Sequence, residues 1–99
     1  MNYKELKTKV LIWAGCKDLL KYENRHKQAL KMVSEVGELC DALIKDDEPE
    51  IVDGLGDVLV TLIILAEQNS YSLERCLEAA YGEIENRKGK TINGTFIKE

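Results

Sequence analysis

The chain has 99 residues, 44% of them apolar and 32% charged, with a formal net charge of -4. This balance suits one soluble domain over residues 1–99 and excludes a disordered chain; the acidic charge also argues against a nucleic-acid polymer as partner. No stretch reaches the roughly 18 apolar residues of a membrane span.

Four helices are predicted in chain order: about Tyr3 to Leu20, Arg25 to Lys45, Pro49 to Gln68 and Ser72 to Arg87. The segment Lys45-Asp46-Asp47-Glu48-Pro49 reads as a polar turn, with the only proline at the first turn of the next helix. Asn69-Ser70-Tyr71-Ser72 is a second turn. Ser72 is followed by Arg75 where a capping box would have Glu, so only half of that box is present. Lys88-Gly89-Lys90 ends the fourth helix, and Asn93-Gly94 is a strong local turn signal in the tail. The expected class is all-α, a four-helix bundle-like fold.

The second helix is amphipathic. On a 100° wheel with Glu35 at zero, Met32, Val36, Leu39, Cys40 and Leu43 span an arc from about 40° to 140° and form the expected core stripe. Lys31, Glu35 and Glu38 flank that stripe, where carboxylates line a cleft and still reach water. The third helix is apolar nearly all round from Val58 to Ala66. A monomer this short hardly surrounds such a helix, so a subunit interface is expected. A buried strand is the competing reading of this Val- and Ile-rich run. The length of the surrounding helical pattern favours helix.

Two acidic clusters carry the chemistry. The first is Glu35-Val36-Gly37-Glu38 and the second is Asp53-Gly54-Leu55-Gly56-Asp57. Carboxylates three or four residues apart on a helix point the same way. Two such pairs facing each other gather oxygen ligands of the kind that Mg²⁺ prefers and shares with substrate phosphates. Gly54 and Gly56 each cost the helix about 1 kcal/mol relative to Ala, a cost often offset by close packing or close ligand approach. His26 is the only histidine, which removes multi-His zinc sites and most His-activated nucleophiles. No P-loop or dinucleotide fingerprint is present. Carboxylates with a metal remain, a combination suited to phosphoryl chemistry.

The charge is unevenly placed. From Arg87 onward, Arg87, Lys88, Lys90 and Lys98 stand against only Glu99, giving +3 for the tail and -7 for the rest. A basic tail of about residues 88–99 on an acidic body suits a small polyphosphate ligand; a solvated terminus is the plainer reading. Cys16, Cys40 and Cys76 are widely spaced. Their odd number, without a signal peptide, predicts a reducing, cytoplasmic setting, and their apolar neighbours predict small core side chains.

With these residues in view, the chain resembles the MazG-like members of the all-alpha nucleoside triphosphate pyrophosphohydrolases, particularly small phage-type ones. That family's signature is Glu-x-x-Glu, a spacer, then Glu-x-x-Asp. The first half is intact in Lys31-Met32-Val33-Ser34-Glu35-Val36-Gly37-Glu38-Leu39, and the second half corresponds to Asp53-Gly54-Leu55-Gly56-Asp57-Val58-Leu59. Ile12-Trp13-Ala14 and Asn86-Arg87-Lys88-Gly89-Lys90 also fit, so the likeness runs from about Trp13 to Lys98. The resemblance implies a MazG-type helical fold completed by association into a homodimer or a dimer of dimers. It implies Mg²⁺-dependent cleavage of a nucleoside triphosphate, ribo or deoxy, to the monophosphate and pyrophosphate, with Mn²⁺ as a substitute metal. Glu35, Glu38 and Asp57 match the catalytic, metal-binding acids. One departure matters: the first acid of the second pair falls at Gly54, and Asp53, four residues before Asp57, is the expected replacement, ahead of Glu50. Ser34 stands where many relatives carry another Glu.

Substrate contacts are expected from Lys31, Arg87, Lys88 and Lys90 on the phosphates, with Lys98 a weaker candidate. Lys31 equally fits a plain ion pair with Glu35 at i+4. Trp13 is a candidate to stack on the base, against a core or interface role. The competing functions are a non-catalytic oligomerisation or nucleotide-sensing module in which Gly54 marks lost activity, and a related phosphoribosyl-nucleotide pyrophosphohydrolase.

Overall fold

Helix-start signals in the sequence act where they stand. Asn2 Oδ1 accepts from the Glu5 amide at 2.8 Å, Asp47 Oδ1 from the Glu50 amide at 3.3 Å, and Ser72 Oγ from the Arg75 amide at 3.2 Å. Each satisfies one of the donors a helix N-terminus leaves free. The computed structural model describes residues 1–99. Its helices are α1 (Tyr3–Cys16), α2 (Arg25–Lys45), α3 (Glu48–Gln68) and α4 (Leu73–Ile84), with a short 3₁₀ turn at Tyr22–Asn24 before α2. The apolar run from Val58 to Ala66 is helix, as expected.

Three of the helices end on the same hydrogen-bonded closure. Leu19 donates to the Ala14 carbonyl and Asp18 to that of Gly15, with Asp18 at φ 61°. The same double closure ends α2 at Asp46 (φ 55°), through Asp47 to Ala42 and Asp46 to Leu43, and ends α3 at Ser70 (φ 63°), through Tyr71 to Ala66 and Ser70 to Glu67. These are Schellman closures with a side-chain-bearing residue in the left-handed position where Gly is usual. This is why α1 stops at Cys16 and not Leu20: no glycine announces the stop. A non-glycine residue held there costs about 1–2 kcal/mol. Replacing Ser70 with Gly should therefore raise stability by roughly 1 kcal/mol. Thermal unfolding of Ser70→Gly beside wild type measures this, and an unchanged or lower midpoint would contradict it.

The chain after α4 forms a hairpin of two antiparallel strands, β1 (Gly89–Ile92) and β2 (Thr95–Lys98), in the register Gly89 to Lys98 and Ile92 to Thr95. Asn93 (φ 50°) and Gly94 (φ 80°) form its two-residue loop, so the turn signal is realised as a hairpin. Gly89 is required by its surroundings. A Cβ there would collide with the Ile97 carbonyl and lie 2.6 Å from Phe96 Cζ. The all-α reading describes the helical body, and the hairpin is added to it.

Packing centres on α2 and α3, which the short Asp46–Asp47 link folds into a helical hairpin. Helix α1 lies against α3, while α4 touches α3 lightly. The buried hydrophobic residues are Ala14, Ala42, Ile63, Ile64 and Ala66, and no large side chain is fully buried. The accessible surface is 7816 Å², against about 5,700 Å² for a compact monomer of this mass. The radius of gyration is 15.8 Å, against about 12.6 Å for a compact chain of this length.

Two expectations about burial are corrected by this shape. Cys16, Cys40 and Cys76 are exposed, because one chain leaves the outer sides of α1, α2 and α4 open. The stripe on α2 is rotated for the same reason. Glu35 and Ala42 are buried against α3, whereas Val36 and Leu43 of the expected stripe remain 40% and 54% exposed.

Candidate functional site

The α2–α3 seam brings the two acidic clusters together. Gly54 makes this approach possible: it is buried, and a Cβ there would lie 3.3 Å from Leu39 Cα and 3.2 Å from Leu39 Cδ1. The glycine that interrupts the acidic motif is therefore a point where α3 lies close on α2. Gly56 has open space around it. One helical turn past Asp57, Thr61 is buried, and its carbonyl accepts from Gln28 Nε2 at 3.2 Å. Gln28 lies on the same side of α2 as Lys31 and Glu35 and holds that face to α3.

Glu35 is 8% exposed and its Oε1 takes an ion pair from Lys31 Nζ at 3.0 Å, so the i+4 pairing is present. That hydrogen bond, with the charge of Glu35, raises the Lys31 pKa. Glu38 is exposed, and its carboxyl is held above the ordinary Glu range chiefly by the neighbouring charge of Glu35, with Asp57 adding. Asp57 is raised chiefly by partial desolvation, then by the charges of Asp53 and Glu35, with Lys31 opposing. Glu35, Glu38, Asp53 and Asp57 thus form one electrostatic cluster across two helices, with a single ammonium group against it. As the chain stands, no three acidic, His or Cys side chains converge on one point as metal ligands. The donors are all carboxylate oxygens, the set that suits a hard divalent cation, and their mutual repulsion is relieved by positive charge. By its chemistry the set fits Mg²⁺ or Mn²⁺.

The remaining expected site residues lie apart from this cluster. Arg87 faces Glu83 at 3.9 Å within its own segment. No ion pair or side-chain hydrogen bond ties Lys88, Lys90 or Lys98 to the helices, and the hairpin packs extensively on none of them. Trp13 is half exposed on α1 beside Leu6, Val10 and Val60. Gln28 was not singled out in the sequence, although it stands three and seven residues before Lys31 and Glu35. Its spacing was the available signal.

No helix is long and apolar enough to cross a membrane. No solved structure matches the chain significantly. An uncharacterized 18.2 kDa protein of the rep-hol intergenic region of Haemophilus phage HP1 (strain HP1c1) is 39% identical over 57 residues, a match covering 58% of this chain and 35% of that protein. The matched part is about a third of that relative's length. The family model for the MazG nucleotide pyrophosphohydrolase domain matches residues 23–91, from the 3₁₀ turn into β1, and so includes both acidic clusters. The chain belongs to the MazG nucleotide pyrophosphohydrolase domain family.

Proposed function

We propose that this chain is a Mg²⁺-dependent nucleoside triphosphate pyrophosphohydrolase that releases pyrophosphate and leaves the monophosphate. The observation carrying this reading is the coupled carboxylate cluster of Glu35, Glu38, Asp53 and Asp57 on the α2–α3 seam of a MazG domain. Glu35, Glu38 and Asp57 would hold the metal, and Asp53, which already acts on Asp57, would supply the oxygen that Gly54 lacks. The metal, when bound, supplies positive charge that polarises phosphoryl oxygens.

The chain's own groups do the rest. Water attacks phosphorus at the α–β bridge, the bridging P–O bond breaks, and pyrophosphate leaves. The water's proton goes to a carboxylate of the cluster. Lys31 is ion-paired with Glu35 and stands by for phosphate charge. Arg87, Lys88 and Lys90 are the further phosphate-binding cations, and Trp13 is the candidate base-stacking ring.

We also propose that the working form is a homodimer or homotetramer, in keeping with the large accessible surface and extended shape of the single chain. Pyrophosphate release from ribo- and deoxynucleoside triphosphates, with and without Mg²⁺, tests the catalytic reading. Metal-dependent release from at least one triphosphate is expected. Release only from a phosphoribosyl nucleotide would move the substrate class. Metal binding without turnover on any of them would favour the sensing module, for which the absent acid at Gly54 speaks.

The raised carboxyls also set a pH dependence. Both must lose protons to bind a cation, so Mg²⁺ affinity should fall on acidification through a range above that of ordinary carboxylates. Calorimetric titration of Mg²⁺ at stepped pH checks this. A midpoint at or below the ordinary carboxylate range would contradict it.

A further inference from the structure

We propose that Gln68 and Lys27, in a polar pocket at the far end of the α2–α3 seam, set the base preference of this chain, favouring a base whose edge carries both an N–H and a carbonyl over adenine. That the base belongs to the substrate rests on the pyrophosphohydrolase reading, and the pocket's preference does not.

The pocket lies between Leu19, Asn24, Lys27, Gln28 and Gln68 and has a volume of about 200 Å³. Pockets for drug-sized ligands run to roughly 300–1,000 Å³, so this one suits a single heterocyclic base. Gln68 is only 3% exposed. Its Nε2 donates to the Leu19 carbonyl at 3.0 Å, and its Oε1 is buried with no donor. A backbone carbonyl can only accept, so the bond to Leu19 fixes which way the amide points. The group left over is therefore an acceptor, and native interiors leave few of these unpaired. An N–H entering the pocket would satisfy it.

The other polar groups are uncommitted as well. Asn24 makes no side-chain cap to α2. Gln28 uses its Nε2 on the Thr61 carbonyl, which leaves its Oε1 for another donor. Lys27 is exposed and has no carboxylate in ion-pair range. An ammonium only donates, so it calls for an acceptor. One edge bearing N–H and C=O answers both demands. Uracil, cytosine and guanine have such an edge, whereas adenine has an amino group and ring nitrogens but no carbonyl.

Position ties the pocket to the carboxylates. On α2, Lys27, Gln28, Lys31, Glu35 and Glu38 fall within an arc of about 100°. Gln28 stands seven residues before Glu35, about 10 Å along the helix, with Lys31 between them. On α3, Thr61 and Gln68 follow Asp57 by four and eleven residues and share its face. A nucleotide laid along this stripe puts its phosphates by Lys31 and the carboxylates, and its base in the pocket.

Nucleosides test the preference without hydrolysis. Uridine, cytidine and adenosine are titrated at millimolar concentration in chelator, and the side-chain amide signals of Asn24, Gln28 and Gln68 are followed by NMR. These signals should move together with uridine and cytidine, with affinity about tenfold above that for adenosine. An equal response to adenosine, or no response to any of the three, would overturn the proposal. Gln68→Met keeps the volume and should abolish the response at Asn24 and Gln28, with circular dichroism showing the helices retained. Lys27→Met alters an exposed side chain and should cut the preference to about twofold. A preference that survives Lys27→Met unchanged overturns the proposal even if Gln68→Met does not fold. Turnover then shows whose base it is. UTP and CTP should exceed ATP in kcat/KM by the same factor, and Lys27→Met should level them. Trp13 lines a separate hollow with Leu6, Val10 and Val60. A preference lost in Trp13→Ala but kept in Lys27→Met would seat the base there and overturn the proposal. Nucleosides bound as expected with no triphosphate hydrolysed would leave the pocket standing and remove the pyrophosphohydrolase reading.

Discussion

Glu38→Gln should lower pyrophosphate release by roughly 10²–10³-fold, the scale on which loss of one charge-stabilising group at a reacting phosphoryl centre is felt. The same change should make the metal-free chain more stable at neutral pH. The sign follows from proton binding. The Glu38 carboxyl is raised in the folded state by the charge of Glu35, so the folded chain holds this proton more tightly than the unfolded chain. Stability from this group is present at acid pH and is lost as pH rises through the raised value. A neutral amide of the same shape removes the repulsion without altering volume. Asp57→Asn should act in the same direction, because Asp57 is raised by desolvation and by Asp53 and Glu35. Activity and thermal midpoint should therefore move oppositely, and Mg²⁺ should stabilise wild type far more than either variant. A Glu38→Gln protein that hydrolyses nucleotides at the wild-type rate would exclude the proposed site. One that melts lower than wild type in chelator would show that Glu38 is structurally satisfied and not crowded.

Gly54→Glu restores the acid of the family signature, and it should nevertheless damage the protein. A Cβ at this position meets the Leu39 Cα and side chain at 3.2–3.3 Å, and backbone cannot swing aside as the end of a flexible side chain does. Leu39 and its helix must give by a few tenths of an ångström, and overpacking of this kind costs about 1–3 kcal/mol. Helix propensity returns about 1 kcal/mol when Gly is replaced, so the expected outcome is a loss of up to about 2 kcal/mol. That shift also widens the seam that couples the two acidic clusters, so activity should fall along with stability. Adding Leu39→Ala should relieve the contact and recover part of the loss. Chemical denaturation and turnover of the single and double variants measure both effects. A Gly54→Glu chain that is more stable and more active than wild type would show that the missing acid, and not close packing, is what this position lacks.

The sequence was informative where function depends on local order. Ion pairing of Lys31 with Glu35 followed from i+4 spacing. The cap at Ser72 and the turn at Asn93-Gly94 followed from residue type alone, whereas Asp47, read only as part of a polar turn, caps α3 in the structure. Helix ends held by Asp18, Asp46 and Ser70 were not legible. Their left-handed conformation is set by the closing hydrogen bonds, and Asp and Ser are common enough elsewhere that residue type does not mark it. The cysteines were misread for a different reason. Apolar neighbours in sequence do not say whether another helix lies over them.

By itself, then, the sequence determined four helices, two pairs of acids each on one helix face and a basic tail, because each depends on spacing within a few residues. Tertiary structure decided what Gly54 is for and where the cations are. Contact between Gly54 and Leu39 joins residues on different helices, so no periodicity reveals it. The hairpin that carries the tail cations packs extensively on no helix, and that lies beyond what spacing along the chain can show.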